Sequence, residues 1–137
     1  DSRLYILRNK HLTCLTKDHN YKNMLRENLK AGKVDMDFYN SEISRGEALT
    51  SYLGLGNIVL IDTNEIPFQL QDEDILMLCS DGLYKTLTEE QIEAVVTESG
   101  GNISIAGERL RETAGRWGRN GQDNTTVILL KISQDCR

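Results

Sequence analysis

Two carboxylates in this chain stand at the ends of short apolar runs. Asp81 follows Ile75-Leu76-Met77-Leu78-Cys79-Ser80 and precedes Gly82. Asp123 opens Asp123-Asn124-Thr125-Thr126, which leads into Val127-Ile128-Leu129-Leu130-Lys131-Ile132. Both runs are too short and too β-rich for a globular helix, so each reads as a strand, the first buried on both faces. A rigid strand can aim a side chain held at its tip. If the two strands are antiparallel neighbours, the end of the first lies beside the start of the second. Both carboxylates would then share one edge of the sheet. Oxygen ligands with no His or Cys nearby favour hard cations, Mg²⁺ or Mn²⁺. A cation so held lowers the pKa of bound water and makes a nucleophile near neutral pH. The plainer alternative is that Asp81-Gly82 is only a turn after a core strand, and the residues alone leave both readings open.

Rival chemistry is thinner. Gly54-Leu55-Gly56 lacks the third glycine of a dinucleotide fingerprint and reads as a turn. His11 and His19 are the only histidines. His11 reads as a turn residue, and His19 as a loop-packing residue or an acid–base group. Cys79 reads as a buried core thiol, with a nucleophilic role as the alternative. Asn102-Ile103-Ser104 and Asn124-Thr125-Thr126 match glycosylation sequons by chance composition.

The elements that must position these groups can be read in order. Leu4 to Arg8 and Leu12 to Thr16 are β-rich runs around Asn9-Lys10-His11, a hairpin. Asp18 or Asn20 caps a helix over Tyr21 to Ala31, with Met24, Leu25 and Leu29 on one face and Gly32 as its stop. From Lys33 to Glu47 no period is visible, so this reads as a surface flap or long loop. Ile58 to Asp62 reads as a strand, and Asn64 to Gln71, with the lone Pro67, as an edge or irregular one. Thr88 and Gln91 form a capping box, and Leu87 with Ile92 a hydrophobic staple. The helix they start buries Ile92, Val95 and Val96 and ends at Gly100-Gly101. A second helix runs from about Ile103 to Arg116, with Ile103, Ala106, Leu110 and Ala114 in register. Trp117 to Gln122 is a glycine-rich loop, and Ser133 to Arg137 a frayed tail. Strands fall early and late with a pair of helices between the last two. That order predicts an α+β fold with a largely antiparallel sheet.

The totals set outer bounds. A chain of 137 residues fits a single compact domain at most. Apolar residues make up 39% and charged residues 27%, a globular composition. A net charge of −5 with no long basic run argues against nucleic acid as a partner. Three cysteines, Cys14, Cys79 and Cys136, are far apart in sequence and suggest neither a disulfide framework nor a zinc site. A reducing, cytoplasmic setting follows as the default. No apolar run approaches a membrane span. The chain opens abruptly in strand-like sequence, as a piece of a longer protein would.

Five stretches share a resemblance. Asp1-Ser2-Arg3-Leu4-Tyr5, Leu15-Thr16-Lys17-Asp18-His19, Ala48-Leu49-Thr50-Ser51-Tyr52-Leu53-Gly54, Leu78-Cys79-Ser80-Asp81-Gly82-Leu83 and Asp123-Asn124-Thr125-Thr126-Val127 are similar, in order, to motifs of the metal-dependent protein phosphatases of type 2C, the bacterial branch above all. The resemblance implies part of a four-layer α-β-β-α sandwich with mostly antiparallel sheets. It implies hydrolysis of phosphoserine and phosphothreonine in proteins, the targets of serine/threonine kinases, by a water activated on two, or three, Mn²⁺ or Mg²⁺ ions. Asp81 and Asp123 match metal ligands of the family, and Asp1 the aspartate of a further, weaker site. Ser80, Gly82 and Asn124 lie in the same motifs and are expected to shape the site around the ligands. Residues about 20–47 correspond to the family's substrate flap.

The departure is as informative. The family's other half, with a glutamate ligand, the bridging aspartate and a phosphate-gripping arginine, has no counterpart in residues 1–137. These residues therefore match the C-terminal portion of the catalytic domain. The chain by itself is expected to be nearly inactive and, with half a sandwich, to leave an apolar sheet face that pairs with itself, the missing half or a partner. A non-catalytic docking or regulatory module of the same fold is the alternative.

Overall fold

The computed structural model describes residues 1–57, 60–63, 66–118 and 123–134. The chain divides into two compact units, one of Asp1 with Lys17–Thr63, the other of Ser2–Thr16 with Asn64–Arg137.

The second unit holds a four-stranded antiparallel sheet. Its strands are β1 (Arg3–Arg8), β2 (His11–Cys14), β3 (Ile75–Cys79) and β4 (Val127–Lys131), in the order β2-β1-β3-β4. A two-residue turn joins β1 to β2. Asn9 and Lys10 both adopt left-handed φ, 52° and 65°, the combination that matches the twist of the flanking strands. His11 is thus not in the turn but opens β2 opposite Arg8. Its Nδ1 lies 3.3 Å from Glu93 Oε2, and the same carboxylate oxygen accepts the Leu12 N–H at 2.7 Å.

Among the described residues this unit holds three helices: α3 (Asp81–Tyr84), α4 (Glu89–Glu98) and α5 (Ile103–Trp117). The capping box forms as read. Gln91 N–H donates to Thr88 Oγ1, and Thr88 N–H donates to Gln91 Oε1. Asn102 caps α5 by accepting from the Ser104 and Ile105 amides. Ile92 and Val96 of α4 and Ala106, Leu110 and Ala114 of α5 are buried with Tyr5, Leu7, Leu12, Ile75, Met77 and Cys79 in one apolar cluster. Each large side chain so buried contributes on the order of 1.5–3 kcal/mol.

These helices cover one face of the sheet, which corrects the expectation for β3. Ile75, Met77 and Cys79 point into the cluster, but Leu76 is half-buried and Leu78 is 43% exposed. The register puts Leu4, Ile6, Leu76, Leu78, Ile128 and Leu130 on the other face, which the helices leave uncovered and where Ile6 is nonetheless buried. Ile128 and Leu130 are also more than half exposed. A uniform apolar run carries no mark of which face is covered, because covering is a tertiary event.

At the sheet end remote from Asp81, Asp74 is buried and held bidentately by Arg8, Nε to Oδ1 at 2.9 Å and Nη2 to Oδ2 at 2.6 Å. The Gln71 amide also donates to Oδ2. The Arg8 guanidinium is the main reason the Asp74 carboxyl titrates below the usual carboxylate range.

The first unit holds α1 (Tyr21–Lys30), α2 (Met36–Glu42) and a 3-10 turn (Ile43–Arg45). Asn20, not Asp18, caps α1 by accepting the Asn23 N–H. The Asp18 carbonyl instead accepts from the Asn23 side chain. α2 lies within the stretch read as an unpatterned flap. Asp35 caps it through the Phe38 amide, and none of its residues is buried. The expected strand Ile58 to Asp62 has Ile58 and Val59 outside the described residues, and Leu60 to Asp62 are irregular. Asn64 and Glu65 likewise lie outside, and Ile66 to Gln71 form no strand. Cys136 and the end of the tail also lie outside.

Candidate functional site

The antiparallel pairing of β3 and β4 brings the two acidic motifs together. Cys79 stands opposite Val127. Beyond that pair the strands stay tied: the Ser80 amide donates to the Thr126 carbonyl at 3.0 Å. Ser80 Oγ adds a clasp, donating to the Asn124 carbonyl at 2.9 Å and accepting the Thr126 N–H at 3.0 Å. This explains why Ser80, at the N-cap of α3, makes no side-chain cap bond to that helix. Its hydroxyl is committed across the strands.

Gly82 completes the contact. A Cβ built there would lie 2.6 Å from the Asn124 carbonyl oxygen and 2.7 Å from that of Asp123. Only a glycine allows the Asp123-Asn124 backbone to lie this close to the first turn of α3. Asp81 and Asp123 therefore sit at one end of the β3–β4 pair, on two segments in backbone contact.

Asp81 is not a bare strand tip. It is the first residue of α3, and its half-buried carboxylate lies 3.0 Å from Lys85 Nζ, one helical turn on. Asp123 is exposed, and its Oδ1 accepts the Asn124 N–H at 2.7 Å. Asp1 is exposed and groups with residues 17–63, so it does not share a compact unit with the other two. Among the described residues no group of three or more His, Cys, Asp or Glu side chains is arranged to hold a metal ion. Two carboxylates are a donor set of the right hardness for Mg²⁺ or Mn²⁺, but an ion that prefers six oxygens needs more than this pair.

Nothing in the sequence marks Lys85, Tyr84 or Arg3 as site residues. The Asp81-to-Lys85 spacing is an i,i+4 acid–base pair. It becomes legible only once a helix is known to begin at Asp81. Arg3 lies over the Tyr84 ring, its guanidinium carbon 3.7 Å from the centroid, and Nη1 donates to Tyr5 Oη at 3.1 Å.

The rival groups resolve into structure. Cys79 is 3% exposed, and burial pushes its thiol up to about 11, so it is a core residue and a poor nucleophile. Cys14 is half-buried beside the same cluster. His19 Nε2 lies 2.9 Å from Asp62 Oδ2, and the His19 carbonyl accepts the Thr50 amide. These contacts tie the loop after residue 50 to the start of α1, in the packing role. They border a cleft of about 540 Å³ within the same unit. No helix among the described residues is long and apolar enough to cross a membrane.

No protein-family model matches the chain. Individual proteins do. The serine/threonine phosphatase stp of Listeria welshimeri is 34% identical over 131 residues, which are 96% of this chain and 48% of that protein. The solved structure of the S. agalactiae serine/threonine phosphatase aligns with a TM-score of 0.76 at 28% identity, covering 97% of this chain and 51% of the other. The catalytic domain of the serine threonine protein phosphatase PstP, solved in complex with 2 manganese ions, aligns with a TM-score of 0.65 at 27% identity, over 98% and 51%. The chain thus spans about half the length of the relatives it matches.

Proposed function

We infer, for a chain that belongs to the metal-dependent protein serine/threonine phosphatases, that it supplies one side of a metal centre that hydrolyses phosphoserine and phosphothreonine in proteins. The single observation that carries this reading is the clasp of Ser80 and Gly82 against Asp123 to Thr126, which sets two carboxylates at one sheet end. Asp81 and Asp123 would hold Mn²⁺ or Mg²⁺, with Asp1 serving a third, weaker ion. The bound metals would supply an activated water for in-line attack on phosphorus. Ser80, Gly82 and Asn124 hold the two acidic segments in register. Lys85 balances the Asp81 charge and must release it when a cation binds.

These 137 residues act, on this reading, as the C-terminal portion of the catalytic domain. The part of the relatives that the chain does not span would bring the remaining ligands and the phosphate grip. The α1–α2 region, residues 20–47, serves as the substrate flap. The substrates are phosphoproteins made by serine/threonine kinases, and the setting is the cytoplasm, in keeping with the free thiols of Cys14 and Cys79. The uncovered sheet face, with Leu78, Ile128 and Leu130 exposed, pairs with a second layer, and in the isolated chain with another copy of itself.

The decisive experiment is Asp81→Asn and Asp123→Asn in the full-length protein, with phosphopeptide hydrolysis followed against Mn²⁺ concentration. Turnover should fall by orders of magnitude while the circular dichroism spectrum is retained. Unchanged turnover at saturating Mn²⁺ would remove these residues from the mechanism. The 137-residue chain alone should be nearly inactive, and robust Mn²⁺-dependent hydrolysis by it would refute the half-site reading. A monodisperse monomer in light scattering at high concentration would refute the self-pairing.

A further inference from the structure

α3 is a single helical turn, too short to hold itself by its own hydrogen bonds. It is nonetheless fixed at successive residues. Gly82 abuts the Asp123-Asn124 backbone, and Leu83 is fully buried in the core. Tyr84 is covered by the Arg3 guanidinium at 3.7 Å. The other end of that guanidinium is anchored. Arg3 Nη1 donates to the hydroxyl of Tyr5, whose side chain is fully buried in the same core. Burial pushes the Tyr5 phenol up to about 12, so it remains a neutral acceptor throughout the working pH range. Arg3 also stands in register with Cys79, two residues before Asp81.

We propose that Arg3 is a positioning residue for the metal centre: by bridging Tyr5 of β1 to the ring of Tyr84 it fixes the α3 turn, and with it the direction of the Asp81 carboxylate. The proposal rests on the reading of Asp81 as a metal ligand. Its geometric half, the clamping of α3 by Arg3, stands without it. The planar guanidinium suits this place because it can stack on a ring and donate in its own plane at once. A lysine could lie over the ring or reach the hydroxyl, but it would not do both in one geometry.

The test uses the full-length protein with Arg3→Met, which keeps the aliphatic stem, and Arg3→Lys, which keeps the charge. Hydrogen exchange is followed at the Leu83, Lys85, Thr86 and Leu87 amides, all hydrogen-bonded within this turn. The Leu110 and Ala114 amides of α5 serve as references. Arg3→Met should speed exchange in the α3 turn by about tenfold, the scale of a lost cation–π contact, and leave the references unchanged. Arg3→Lys should fall between. A Mn²⁺ titration, read as paramagnetic broadening of the Gly82 amide, should need several-fold more metal in Arg3→Met.

Equal acceleration at Leu110 and Ala114 would overturn the proposal, since Arg3 would then only support global stability. No acceleration anywhere would overturn it as well. Faster exchange in the turn with an unshifted Mn²⁺ titration would refute the link to the ligand. If Mn²⁺ does not broaden Gly82 in the unmodified full-length protein, Asp81 is not a ligand, while the exchange arm still decides the clamp.

Discussion

Gly82→Ala sets two well-known effects against each other. Gly82 lies in the helical turn α3, where alanine is intrinsically favoured over glycine by about 1 kcal/mol. Propensity alone therefore predicts a more stable protein. The contact predicts the opposite. The new methyl carbon would sit 2.6 Å from the Asn124 carbonyl oxygen, 2.7 Å from that of Asp123 and 3.0 Å from the Asn124 carbonyl carbon. These are backbone atoms, so no side chain can rotate away. Relief needs a separation of roughly 0.5–1 Å between α3 and the Asp123-Asn124 segment to restore carbon–oxygen contact, and forced shifts of this kind typically cost about 1–3 kcal/mol. The same movement stretches the Ser80 Oγ bond to the Asn124 carbonyl, now 2.9 Å. Steric cost and about 1 kcal/mol for the stretched Ser80 bond, less about 1 kcal/mol of helix propensity, leave a net loss of about 1–3 kcal/mol, or a drop in melting temperature of about 3–10 °C for a chain of this length. Thermal denaturation by circular dichroism measures it, and amide shifts should change most at Asp123 to Thr126. A melting temperature equal to or above that of the unmodified chain would show that the strand-end contact is loose, and the geometric basis for pairing Asp81 with Asp123 would fail with it.

Three further outcomes follow from contacts already described. Ser80→Ala takes the donor from the Asn124 carbonyl and the acceptor from the Thr126 N–H and should destabilise by about 1–2 kcal/mol in urea titration, whereas no change would mean that water replaces the hydroxyl without loss. The Asp74 carboxyl is depressed chiefly by its Arg8 hydrogen bonds, so its stabilising effect is fully present above its unfolded-state pKa, near about pH 4, and is lost as pH falls through the lower folded-state value. Stability measured between about pH 5 and 2 should fall less steeply in Asp74→Asn, and an identical slope would dismiss the ion pair as a source of acid sensitivity. In the folded chain at pH 8, iodoacetamide should modify Cys14 well before Cys79, whose thiol is buried and raised to about 11; equal rates by mass spectrometry would contradict that placement.

Much of the second unit can be read directly from its residues. Thr88 and Gln91 announce α4 by a local hydrogen-bond pattern that needs no tertiary partner. Ala106, Leu110 and Ala114 announce α5 by spacing. The two acidic motifs could be paired because antiparallel neighbours leave no other arrangement of their ends. The antiparallel α+β class follows from the same order of elements. What is not legible concerns elements with no apolar period, or faces and partners that only tertiary packing decides. α2 buries nothing, and Met36 and Phe38 are about half exposed, so its only readable mark is the Asp35 cap. α3 is one turn long and looks like a loop in sequence. Leu78 is as apolar as its neighbours yet faces outward, because the helices of this unit cover the other face. Arg3 acts through a ring that the chain brings near only by folding β1 beside β3.

The strand order has a consequence for how the chain folds and what its length can tolerate. β1 meets β2 across a two-residue turn, Asn9 and Lys10, but meets β3 only after the chain has travelled from Asn9 to Asp74. Closing that excursion costs about 3 kcal/mol more in chain entropy than closing the turn, and the hairpin should form first. Closure entropy grows only with the logarithm of loop length, so even doubling the excursion would add about 0.6 kcal/mol. All of Lys17–Thr63 lies within it. The sheet that carries Asp81 and Asp123 is therefore nearly indifferent to how long that insertion is. Segments could be added or removed between α1 and β3 with little effect on the acidic strand ends.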